Sequence, residues 1–277
     1  MELTKWLCED KNPAVKYRTE TEILGIESDK APVIEYVQKL LPKDWQETKG
    51  LWYIYRLTSI AECGLTKDDI EINPARIEDS PNTFGNFCSD FMFLRTILML
   101  GYNDIVNKIL KNIVTLPDGG FLCEMKLKKR VDIPKSCVKA NYFALLFCAE
   151  AKKRGIEVPF ADGLLEYFWA HKIYYKQSNP DELILPAREG WRTIDIFHPF
   201  EPMRVGLHNI VEAFSALGYG NDSRLDESWK FLEERKDTDG RVILDTTVTK
   251  SYLRKEKAGA PSKWATFYAQ LAEKQRG

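Results

Sequence analysis

Two stretches of this chain repeat one plan: an apolar run ends in LGY, an amphipathic segment follows, and an Asp-Gly turn closes the unit. The first copy runs from Leu100-Gly101-Tyr102 to Asp118-Gly119-Gly120-Phe121, the second from Leu217-Gly218-Tyr219 to Asp239-Gly240. The interval between the anchoring glycines leaves room for one further unit, and the apolar run NYFALLFCAEAKKRG, ending at Gly155, supplies it. A unit of two helices cannot bury its apolar face alone. Stacked neighbours can, so the pattern predicts an all-α array of helical hairpins.

The remaining segments fit that array. Asn12-Pro13 before AVKYRTETEILG reads as a capping asparagine and a first-turn proline, with Gly25 as the stop. PVIEYVQKLL begins at Ala31-Pro32 and ends before Pro42, and GLWYIYRLTSIAEC runs to Gly64. The interval from Thr66 to Phe87 is poorly periodic and predicts a short helix with a rim loop. Asp104 is placed to cap IVNKILKNIV, and Pro159 with Asp162 introduces GLLEYFWAHKIYY. The last pair is LDESWKFLEER and SKWATFYAQLAEK, for roughly ten to twelve helices.

These helices alternate between amphipathic and nearly all-apolar. A helix apolar on most faces must be covered on most faces. The apolar ones, near 51–63, 89–100, 138–149, 204–217 and 263–273, therefore form an inner layer and the amphipathic ones an outer layer. About five to six hairpins arranged in this way give a single α/α-toroid domain over residues 1–277; an open α-solenoid is the alternative.

At 277 residues and 44 % hydrophobic, the chain has the apolar side chains for one large core. Its 40 basic and 41 acidic residues give no global field for nucleic acid. No stretch predicts a signal peptide or a membrane span, so the expectation is a cytoplasmic protein. In that reducing setting the six cysteines are free or metal-bound. The basic run KLKKR at 126–130 reads as a solvated loop. Glycine-rich nucleotide loops, a G-x-S-x-G elbow and an H-E-x-x-H motif are all missing from the sequence.

The motifs LPDGGF at 116–121, DTDGR at 237–241, the junctions LGYND and LGYGND, and the closing GAPSKWATFYAQLAEK together resemble the terpenoid cyclase and protein prenyltransferase superfamily of α/α toroids. The opening NPAVKYRTETEILG and the closing segment are also similar to uncharacterised bacterial proteins described as prenyltransferase or squalene-oxidase-repeat proteins. The resemblance implies a central cavity that receives an isoprenoid or other apolar ligand. The chain departs from the superfamily in lacking a DxDD acid, since Asp237 and Asp239 read as turn residues, and in lacking the D-x-C zinc context, since Asp132 precedes Cys137 by five positions.

Two candidate sites follow. Inner helices of a toroid run parallel, so residues before their N-termini gather at one rim: Cys88, Cys123, Cys137 and His198 form a candidate zinc set, because thiolate and imidazole suit that ion. Cysteines packed as small hydrophobes are the competing reading. The second set consists of polar residues that interrupt apolar helices, namely Arg56, Arg95, Asn141, Arg204, His208 and Glu212. Buried polar groups need partners or a wet cavity. Arg95 and Arg204 are candidates for holding an anionic group, with Tyr142 and Phe214 as aromatic wall and His208 and Glu212 as proton-transfer groups. Alternatively, Arg95 and Glu212, each six residues before a terminal glycine, pair with one another.

Three function classes remain open: a cavity enzyme or binder for an isoprenoid, a noncatalytic helical-repeat protein that binds a peptide, lipid or protein, and a sugar-processing toroid. The last needs paired carboxylates, for which Asp195 and Glu201 are the nearest pair in sequence.

Overall fold

The computed structural model describes residues 2–122, 136–183, 204–245 and 256–276. It is predominantly helical, and consecutive helix pairs pack side by side as a helical-repeat arrangement. After α1 (Glu2–Leu7), helix α2 (Pro13–Arg18) starts as its sequence dictates. The Asn12 carboxamide oxygen accepts the Val15 amide at 3.3 Å, and Pro13 fills the first turn, where no amide hydrogen is needed. The chain then widens into a π-helical turn, Thr19–Leu24, and stops at Gly25 with φ of 68°.

The inner layer comprises that segment together with α4 (Leu51–Glu62), α7 (Cys88–Met99), α9 (Val138–Lys153), α11 (Leu207–Ala216) and α13 (Lys263–Gln275). Helix α4 packs on α7, α7 on α9, α9 on α11 and α11 on α13, while α13 lies against the π-helical turn and α2. The outer layer is α3 (Ala31–Leu40), α8 (Asn103–Leu110), α10 (Ala161–Ala170) and α12 (Asp226–Glu234), each following its inner partner. Burial explains the division: from Ala140 through Ala151 every side chain of α9 is buried, whereas only Val106 and Ile109 of α8 are. Two short helices, α5 (Ala75–Glu78) and α6 (Ser80–Thr83), occupy the interval before α7.

The aromatic core sits between the layers. Phe91 of α7 lies 4.2 Å from Phe121 between ring centroids, and Phe160, just before α10, stands edge-on to both. Phe121 follows the first Asp-Gly turn, in which Asp118 accepts the Gly120 amide at 3.1 Å and Gly119 takes a φ of 80°. A Cβ on Gly119 would come within 2.1 Å of the Gly163 carbonyl oxygen, so the turn can rest on α10 only through a glycine. Asp237 does the same work in the second turn, accepting the amides of Asp239 and Arg241, each at 2.9 Å.

Several local expectations are corrected. Helix α8 begins at Asn103 with Asp104 inside its first turn, where the carboxylate favours the helix dipole, and it ends at Leu110. The helix expected over GLLEYFWAHKIYY ends at Ala170. Beyond it Tyr175–Lys176 (β1) pairs antiparallel with Asn179–Leu183 (β2). Helix α11 starts at Leu207 instead of near Arg204: Gly206 is extended, and its amide donates to Asn209 Oδ1 at 3.1 Å.

Candidate functional site

The inner helices bring their charged residues together near their C-terminal ends. Glu62, on the last turn of α4, is 3 % exposed. One of its carboxylate oxygens accepts from Arg95 of α7; the other accepts from Arg18 of α2 at 3.1 Å and from the Tyr268 hydroxyl of α13. Arg18 is anchored further by Glu22, which takes its Nε and Nη2, and its guanidinium lies over the Phe267 ring at 4.6 Å. Next to this cluster, Lys153 of α9 donates to Glu212 of α11 at 2.5 Å, and Glu150 holds Arg154 at 2.8 Å. Every inner helix thus contributes a charged or phenolic group to one belt.

Electrostatics fixes the charge states. Burial works to raise the Glu62 carboxyl, but the Arg95 and Arg18 charges and the hydrogen bonds from Arg95 and Tyr268 outweigh it, so its pKa falls below the ordinary value. Burial also opposes the charge on Arg95, which Glu62 restores, leaving the guanidinium charged. Tyr268 is held protonated by burial and by the adjacent Glu62 carboxylate. Lys153 loses hydration by burial and recovers its charge from Glu212 and Glu150. A buried ion pair is costly to break because a single charge is then left unpaired.

This geometry redistributes the expected roles. Arg95 and Glu212 are both ion-paired, but to Glu62 and Lys153 instead of to each other. His208 lies one turn before Glu212 on α11 and is 4 % exposed, with its ring centroid 6.0 Å from that of Tyr268. Tyr142 and Phe214 do not reach this belt. They belong to the packing between the layers, where Tyr142 stacks with Phe168 at 5.5 Å and donates to the Ile173 carbonyl, and Phe214 packs on Phe168 and Trp169 of α10. Asn141 accepts the Phe121 amide at 2.9 Å and so ties α9 to the first Asp-Gly turn. Arg204 is half-buried on the approach to α11.

The zinc expectation is corrected. Among the described residues no three His, Cys, Asp or Glu side chains gather where they could hold a metal ion. Cys88 and Cys137 are half-buried at the starts of α7 and α9, while Cys123 and His198 lie outside the described residues, as do Asp195, Glu201 and the basic run at 126–130. Burial raises the thiol pKa of both Cys63 and Cys148, so these two remain neutral and packed as small hydrophobes. No helix among the described residues is long and apolar enough to cross a membrane.

Glu62, Arg18, Lys153 and Tyr268 are absent from the sequence-derived site. A signal was present: Glu62 and Lys153 each stand two residues before the glycine that ends their apolar run, Gly64 and Gly155, about one helical turn beyond the height inferred for Arg95 and Glu212.

A concave feature lies between the first inner segment and the outer helix that follows it. Residues of α2, the π-helical turn and the start of α3 enclose a cleft of about 460 Å³. Its floor is apolar, with Pro13, Tyr17, Pro32 and Val33, and its edges carry Asp10, Glu20, Glu27 and Asp29 against one cation, Lys16. Ile26 lines the cleft at 52 % exposure, beside Leu24 at 45 %. Lys16 is already bound to Asp10 at 2.8 Å, so the cleft is acidic on balance. No protein-family model matches the chain, and no curated protein matches it in sequence.

Proposed function

We propose that this chain is a closed α/α toroid that serves as a binding scaffold, its axis sealed by the charged belt and its outer acidic cleft receiving a basic, apolar segment of a protein partner. The engagement of Arg95 and Glu212 in separate buried ion pairs carries this reading, because the groups best placed to grip and process an anionic isoprenoid at the axis are spent on structure. Closure is supported by Glu62 of α4, which meets both Arg18 of α2 and Tyr268 of α13, and by α13 lying against the π-helical turn. Likeness to terpenoid cyclase toroids then concerns architecture, with the cavity chemistry given up.

The occupant follows from complementarity. Exposed Ile26 on an apolar floor favours leucine-type side chains, and the acidic edge favours lysine or arginine on the same segment. A labelled Leu/Lys amphipathic peptide tests this by fluorescence anisotropy. Saturable, salt-sensitive binding that weakens about tenfold in a Glu27→Lys/Asp29→Lys variant supports the reading. Absence of saturation, or equal binding by the variant, overturns it. Farnesyl diphosphate supplies the opposing arm: diphosphate release by the parent protein, lost in a folded Arg95→Met variant, would restore the cavity-enzyme reading.

A further inference from the structure

The C-terminal end of α10 carries the most strained backbone in the described chain. Lys172 has φ of 41° and the β-branched Ile173 has φ of 70°, whereas the other helix ends that turn left-handed do so on glycine. The hydrogen bonds define the geometry. Lys172 N donates to Trp169 O at 3.1 Å and Ile173 N to Phe168 O at 2.7 Å, the pattern in which glycine normally occupies the position of Lys172. Tyr174 N then reaches back to Lys172 O at 2.9 Å, so Ile173 sits at the centre of a γ-turn of the rare, strained hand. The lysine held there lines a cleft of about 540 Å³ shared by α10, the β-hairpin and α12.

The same cleft is lined by a second, immobilised cation. The Arg224 guanidinium lies over the Trp169 ring at 3.8 Å and is clamped by Asp222, with Nε to Oδ1 at 2.8 Å and Nη2 to Oδ2 at 2.5 Å. Its Nη1 edge takes no hydrogen-bond partner among the described residues, and neither does the Lys172 ammonium. The acceptors are fixed as firmly. Glu227 receives the Tyr174 hydroxyl on one oxygen at 2.9 Å and the Tyr175 hydroxyl on the other at 3.2 Å, keeping a lone pair on each for a ligand. Asp181 of β2 lines the same cleft, and it and Glu227 add to burial in pushing the Tyr175 hydroxyl up to about 12.

We propose that this cleft binds an anionic sugar, with its acidic group on Arg224 and Lys172 and its hydroxyls donating to Glu227 and Asp181. An inorganic anion alone would bring no hydroxyl to either carboxylate and would face a like charge. A neutral sugar would bring no negative charge to the Arg224 Nη1 edge or to Lys172. The volume exceeds what a single small anion needs and admits a mono- or disaccharide. The sugar acid and the sugar phosphate present the same chemistry to this wall, and the inference is independent of the scaffold reading.

Calorimetric titration of the full chain with D-glucuronate, glucose 6-phosphate, D-glucose and inorganic phosphate tests it. At least one anionic sugar should saturate the protein, with glucose and phosphate at least about tenfold weaker, and the comparison of the two anionic sugars identifies carboxylate or phosphate as the preferred acidic group. Arg224→Gln should weaken that sugar about tenfold or more. Lys172→Gly should also weaken it about tenfold while raising the melting temperature by about 2–4 °C, because glycine relieves the backbone; this variant keeps the test intact if Arg224→Gln misfolds. Failure of both anionic sugars to saturate by about 10 mM, phosphate binding as tightly as the sugar, or unaltered affinity in a folded Arg224→Gln or Lys172→Gly protein would overturn the proposal.

Discussion

Tyr268, on the last helix, donates its hydroxyl to the carboxylate of Glu62, which stands 206 residues earlier in the chain. The same carboxylate binds Arg18 and Arg95, so one buried acid ties together the first, second, third and last inner helices. Its removal is the most direct probe of how the array is held.

Glu62→Gln should destabilise the fold by about 3–5 kcal/mol, because the buried Arg95 guanidinium loses its counter-ion and Arg18 is left with Glu22 alone. Urea denaturation measures the loss. A Glu62→Leu/Arg95→Met double variant should recover part of it, since the two charges most closely opposed leave together. If the double variant is less stable than the single by the full additive amount, the pair is not coupled.

Acid should loosen the same belt. The folded-state pKa of Glu62 lies below its ordinary value of 4.5, as does that of Glu150, so each contributes stability that is complete above that value. Stability is then lost as pH falls through the lowered folded values, where the native carboxylates finally take up protons. Thermal melts between pH 7 and about pH 3 should show a decline below pH 4.5 that is shallower in Glu62→Gln. Identical slopes in the two proteins would remove Glu62 from the account.

Two glycines separate backbone strain from close approach. Gly155 has φ of 68° and open space around a notional Cβ, so Gly155→Ala should cost about 1 kcal/mol, the strain of a left-handed alanine. Gly119 combines φ of 80° with a Cβ position 2.1 Å from the Gly163 carbonyl oxygen, and Gly119→Ala should cost clearly more, about 2 kcal/mol or above. Equal losses in chemical denaturation would mean that the turn moves off α10 freely.

Phe147, fully buried in α9 and stacked with Phe160, provides the measure of interlayer packing. Phe147→Ala should lower stability by about 3–5 kcal/mol through lost burial and the cavity left behind, with Phe147→Leu much milder. Differential scanning calorimetry distinguishes the two.

The two layers are legible in the amino-acid pattern alone. Apolar runs ending in glycine at 64, 101, 155 and 218 can be satisfied only by helices covered on most sides, and Asn12-Pro13 and the Asp-Gly turns mark boundaries through local hydrogen bonds that need no distant partner. Charge placement was legible only as height: Arg95 and Glu212 stand at matching levels, but which groups they would meet was not written locally. The tertiary structure decided that Arg95 faces Glu62 and Glu212 faces Lys153, that Tyr142 and Phe214 pack between the layers, and that Lys172 and Ile173 accept a strained turn to reach α12. Helical periodicity fixes which face of a helix is apolar, whereas the partner of a buried charge depends on the rotation and register of other helices, set by contacts such as that of Arg18 with Tyr268, 250 positions apart.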